Sequence, residues 1–176
     1  MIFRKIKAFG KDQRGITLVE MLVSVTIAGI IGLGATVANG QILNQTSKNN
    51  DYTTASRQTL NALHWISRDA QMAQTVNGTA GFPVSSNLTL TWTGWDNTDY
   101  QVIYSLTDGQ LNRRYTAGGG DPSVTFIAEH INSDAEMTSC TTDNGTLTLT
   151  ITASVGEGAR TIDVTKRREV TSRPNL

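Results

Sequence analysis

From Ile16 to Ala38 the chain is an almost unbroken apolar run: fifteen apolar side chains, three glycines, four Ser or Thr, and one acid, Glu20. No charged residue occurs between Met21 and Ser47. As a helix these residues span about 34 Å, enough for the ~30 Å hydrocarbon core of a bilayer. A secretory signal has a shorter apolar region followed by a small-residue cleavage site, so the run predicts a spanning helix. Downstream, Tyr52, Ala55, Thr59, Leu60, Leu63, Ile66, Ala70, Ala73 and Val76 recur mostly at spacings of three and four. Arg57, Asn61, Arg68, Asp69 and Gln71 mostly face away, which predicts an amphipathic helix packed on other elements. Continuous from Ile16 to Val76, it would run about 90 Å. Asn39-Gly40 and Asn49-Asn50-Asp51 are weak helix formers, where it can loosen.

Past Asn77-Gly78 the period falls to two. Leu88, Leu90 and Trp92 alternate with threonines, and Tyr100, Val102 and Tyr104 lead through Thr107-Asp108-Gly109 to Leu111 and Tyr115, a hairpin pattern. Val124 to Ile131 reads as a further strand. Leu147, Leu149, Ile151, Ala153 and Val155 alternate with Thr and Ser, then Gly156 to Ala159 turns the chain toward Ile162 and Val164, a hairpin with one buried and one wet face. Five to seven strands packing on the helix stripe predict an α+β fold. No repeat or second compositional regime appears, so residues 40–176 read as one domain behind a spanning helix at 16–39.

Charge sharpens this division. The 15 basic and 15 acidic side chains cancel. Residues 1–15, however, hold Arg4, Lys5, Lys7, Lys11 and Arg14 against Asp12 alone, leaving ten cations and fourteen acids in the remainder. The positive-inside rule puts the N-terminus in the cytoplasm, making this a single-pass protein of the cytoplasmic membrane with residues after about 40 outside the cytoplasm. An acidic mature part argues against nucleic acid as a partner. Glu20 stands at the edge of the apolar run, where a carboxylate is costly and calls for a cation. No Lys or Arg lies within reach on its C-terminal side. Cleavage after Gly15 would create an α-amino group on Ile16, able to pair with Glu20 of a neighbouring subunit.

Lys11-Asp12-Gln13-Arg14-Gly15, followed by Ile16-Thr17-Leu18-Val19-Glu20-Met21-Leu22-Val23, resembles the processing and assembly segment of type IV prepilins and type II secretion pseudopilins. The resemblance implies a leader at 1–15, cut after Gly15 by a prepilin peptidase that also methylates the new N-terminus at Ile16. It further implies assembly into a helical filament of pilin or pseudopilin subunits through Glu20. Most members begin the mature chain with Phe, and here the residue is Ile16. Leu63-His64-Trp65-Ile66-Ser67-Arg68-Asp69-Ala70 resembles the end of the helical spine in J-type minor pseudopilins and larger minor pilins. The function so implied is structural, as a minor subunit of a type II secretion, type IV pilus or competence filament. Ser24, Ala28, Gly32 and Ala35, at spacings of four, four and three, would form a close helix-packing face.

The chain offers little catalytic chemistry. His64 and His130 have no acid or Cys at metal-ligand spacing and read as structural. No Gly-x-Ser-x-Gly elbow is present, and Gly118-Gly119-Gly120-Asp121-Pro122 lacks the Lys and Ser or Thr of a phosphate loop. Asp96, Asp99, Asp121 and Asp143 match no calcium loop. Cys140 reads as a small buried residue. Neither a cofactor nor a metal is expected, and the chain does not read as an enzyme. The tail from Lys166 to Leu176 reads as a solvated basic end or as the Arg-containing closing strand of the resembled family, with Pro174 stopping sheet pairing. Two other functional classes fit: a membrane-anchored binding module or hydrolase, and a DNA-uptake minor pilin.

Overall fold

The computed structural model describes residues 15–173. The basic residues 1–14 of the expected leader, and Pro174 to Leu176, lie outside the described residues. The chain divides into two compact units at Gln45/Thr46, inside the stretch of weak helix formers. Helix α1, Leu18–Met72, contributes residues to both. Asn39-Gly40 and Asn49 to Asp51 are helical.

Within the first unit, every described side chain is exposed, including Leu18, Val25, Ile30 and Leu33. A helix segment apolar on all sides and unburied by its own chain needs lipid or other helices around it. It is long and apolar enough to cross a membrane. Its hydroxyls add no unmet polar group. Ser24 Oγ donates to Glu20 O, Thr26 Oγ1 to Leu22 O and Thr36 Oγ1 to Gly32 O, at 2.8, 2.8 and 2.9 Å.

In the second unit, α1 buries Ala55, Thr59, Ala62, Leu63, Ile66 and Ala70 on one stripe. The stripe packs against two antiparallel sheets, giving the expected α+β architecture. The first sheet runs in chain order: β1 (Thr75–Asn77), β2 (Leu88–Thr93), β3 (Asp99–Thr107), β4 (Gln110–Ala117) and β5 (Ser123–Ala128). The second is β6 (Ser139–Asp143), β7 (Thr146–Val155) and β8 (Ile162–Thr171). Leu88, Leu90, Val102, Tyr104, Leu111, Leu147, Leu149 and Ile151 are wholly buried between sheets and helix. Side-chain bonds also tie the layers. Asn61 Nδ2 donates to Ile127 O at 2.6 Å, and the Thr59 hydroxyl lies 3.1 Å from Val164 O.

Two hairpins close through two-residue loops with both φ angles positive: Asp108 (49°) with Gly109 (74°), and Asn144 (48°) with Gly145 (76°). This is the type I′ geometry whose twist matches that of the strands it joins. The first was expected from Asp108-Gly109. The second, together with β6, was not, because Thr141, Thr142 and Asp143 are exposed and leave Cys140 alone on the apolar side.

Several expectations are corrected. Eight described strands form two sheets, not five to seven. Val76 belongs to β1, since α1 ends at Met72. Tyr52 and Leu60, assigned to the buried stripe, are exposed, whereas Asp69, assigned to the wet face, is 1% exposed. The strand expected through Ile131 stops at Ala128. His130 adopts φ 59°, and Ile131 instead bridges Ala153 of β7. The basic tail, read either as a solvated end or as a closing strand, is a strand as far as Thr171, paired from Ile162 through Thr171 with β7.

Candidate functional site

Thr17 precedes the first residue of α1, and its Oγ1 accepts the Glu20 N–H at 3.3 Å while its carbonyl accepts the Met21 N–H at 3.1 Å. Thr17 is thus the N-cap and Glu20 the third residue of the helix, the spacing of a Ser/Thr-x-x-Glu capping box. The carboxylate of Glu20 stands in the first turn, where the helix dipole favours negative charge. Gly15 and Ile16 lie before the cap in non-helical backbone and are exposed. A peptide bond there is open to a protease without unwinding any of α1. An ammonium group formed on Ile16 would sit beside the positive helix end, which disfavours it unless a carboxylate stands close.

Ser24, Ala28, Gly32 and Ala35 occupy one face of α1 and are exposed. A Cβ added at Gly32 meets nothing within 4 Å, so its smallness serves no contact inside this chain.

Residues 10–36 match the prokaryotic N-terminal methylation motif. The match takes in Gly15, Ile16, Glu20 and most of the apolar run, and it stops short of both sheets. Comparison with curated proteins and with solved structures returned no match.

In the second unit the strongest polar constellation is a tie between layers. Asp69 on α1 receives Arg113 Nε from β4 at 2.6 Å, Arg113 Nη2 at 3.1 Å, and the Tyr104 hydroxyl from β3 at 2.5 Å. Burial pushes the Tyr104 hydroxyl well above its ordinary pKa, and the Asp69 charge adds to this. Tyr104 therefore stays a donor. This trio links helix to sheet through three bonds to one carboxylate.

His64 and His130 are both exposed, and His130 Nε2 lies 3.9 Å from Glu129 Oε1. No group of three His, Cys, Asp or Glu that could hold a metal occurs among the described residues. Asp96 and Asp99 are engaged locally, by the Thr98 N–H at 3.1 Å and the Thr93 hydroxyl at 2.9 Å. Cys140 is buried, and desolvation pushes its thiol up to about 12.

Proposed function

We propose that this chain is a minor structural subunit of a type IV pilus-like or type II secretion filament. A prepilin peptidase cuts it between Gly15 and Ile16 and methylates the Ile16 amine. The mature subunit waits in the cytoplasmic membrane with residues 40–176 outside the cytoplasm, then enters the filament when Glu20 of one subunit meets the Ile16 amine of another. The observation that carries this reading is the methylation-motif match over residues 10–36, with Glu20 in the first turn of a lipid-compatible helix. The carboxylate stands where the helix dipole favours negative charge, and in the filament it pairs with a neighbouring amine. The face of Ser24, Ala28, Gly32 and Ala35 gives neighbouring spines a close approach. Low copy number fits the size of the β region, about 100 residues after α1.

Glu20→Gln removes the charge while keeping the side-chain shape and the Thr17 cap on the backbone N–H of residue 20. The variant is expected to insert and to lose its leader, yet to be strongly depleted from sheared filaments. Incorporation at the wild-type level would reject Glu20 as the assembly contact.

A further inference from the structure

A groove of about 780 Å³ opens beside the C-terminal end of α1. Its floor is a ladder of rings. Trp92 stacks on Tyr100 with centroids 5.5 Å apart, and Tyr100 on Tyr115 at 6.1 Å. The Arg113 guanidinium lies 5.1 Å from the Tyr115 ring centroid and 5.4 Å from that of Trp65. Because Asp69 clamps Arg113, this floor is preorganised.

Above the floor stand two further guanidinium groups. Arg68 lies 5.5 Å over Trp65 and Arg173 5.4 Å over Trp95, and neither has an acidic partner among the described residues. Trp95 is 97% exposed. It sits on a turn closed by its own bonds, Gly94 N–H to Thr98 O at 2.8 Å and Thr98 N–H to Asp96 Oδ1 at 3.1 Å, so the loop holds the indole out in water.

Trp, Tyr and Arg without Lys is the composition of interface hot spots. Unpaired guanidinium groups select carboxylates, which they bind in a fixed fork. Long polyanions are disfavoured, since residues 46–176 carry ten cations against thirteen acids, while the groove itself has three guanidinium groups against two carboxylates. Beside the groove the β2 backbone is already engaged, by β1 at Thr91 and by the Gln74 side chain, which takes the Thr93 N–H at 3.0 Å. The groups the groove offers are side chains.

We propose that this groove docks an acidic segment of a partner protein, seating an apolar side chain against Trp95 and placing flanking carboxylates on Arg68 and Arg173. This goes beyond the filament reading and holds whether the chain assembles or only anchors in the membrane.

The test places a photo-crosslinking benzoylphenylalanine at Gln71, an exposed groove residue, in the full-length protein in its own cells. Mass spectrometry is expected to find an adduct on a protein segment containing Asp or Glu. Arg68→Glu with Arg173→Glu is expected to cut the adduct roughly tenfold or more, and changing the acids of the captured segment to Lys to restore it. Trp95→Ser, at a site where folding needs no contact, is expected to lose the adduct with an unchanged thermal midpoint. An adduct indifferent to both groove variants, an adduct on glycan or nucleic acid, or no adduct at all would overturn the proposal. The N-terminus of the same protein, read from the same samples, reports leader processing independently, so failure at the groove is distinct from failure of the filament reading.

Discussion

Asp69 of α1 and Arg113 of β4 form a two-point ion pair at 2.6 and 3.1 Å, with the carboxylate 1% and the Arg side chain 13% exposed. The pair crosses from helix to sheet, and Tyr104 of β3 donates a third bond to the same carboxylate. It fixes the helix against the middle of the five-stranded sheet. Asp69→Asn leaves the guanidinium without its counter-charge at a desolvated site, and is expected to cost about 3 kcal/mol. Tyr104→Phe removes one bond to a charged acceptor and is expected to cost about 1.5 kcal/mol. Denaturant unfolding of the detergent-solubilised full chain measures both, and equal costs would contradict the ranking.

Ser67, two residues away, makes the opposite case. It is 4% exposed and its hydroxyl has no hydrogen-bond partner among the described residues. A buried unmatched hydroxyl opposes folding, so Ser67→Ala is expected to leave stability unchanged or raise it by up to about 1 kcal/mol in the same assay. A loss larger than that would show that the hydroxyl finds an acceptor in solution.

Cys140 supplies a pH prediction. In the fold its thiol keeps its proton up to about 12, whereas the ordinary value is 9.0. The folded state binds more protons than the unfolded one in this window. Its stabilising effect is therefore complete below pH 9 and is lost as pH rises toward 12. Wild type is expected to lose stability over that range more steeply than Cys140→Ala. At pH 8, iodoacetamide is expected to modify Cys140 only after denaturation. Rapid labelling of native protein would contradict its burial.

How much of this was legible in the sequence depends on what each signal is made of. The spanning run, the hairpin at Asp108-Gly109 and the β7–β8 hairpin follow from periodicity and local turn chemistry, so they survive without tertiary information. Asp69 was misplaced because a helical period sorts polar from apolar, and a carboxylate with two partners from distant strands looks the same as a solvated one. β6 was missed because its exposed threonines hide the strand, although Asn144-Gly145 is a strong hairpin turn. The groove was missed because Trp65, Arg113 and Arg173 meet only in the fold. One local clue was available: a Trp between Gly94 and Asp96-Asn97 sits at a turn tip, where nothing in the chain can bury it. Gly15, Ile16 and Glu20 needed no fold, since their signal is a contiguous motif. The structure adds that Thr17 caps the helix and puts Glu20 in its first turn.

The small-residue face of α1 predicts a selective defect. Ala28→Leu with Gly32→Leu adds bulk where the chain makes no internal contact, so folding and membrane insertion are expected to be normal. Entry into filaments is expected to fall, because the added side chains separate neighbouring helices. Quantifying the variant in membranes and in sheared filaments checks both halves. Normal entry would show that this face meets lipid.

The identity of the first residue of the mature chain tests the central claim most directly. Intact-mass and N-terminal peptide analysis of the protein from cells with active prepilin peptidase should find a chain beginning at Ile16, heavier by one methyl group on its amine. Gly15→Trp, which puts bulk at the cut, should leave residues 1–15 attached. A wild-type chain still beginning at Met1 under those conditions would contradict processing and, with it, the filament function built on the Ile16 amine and Glu20.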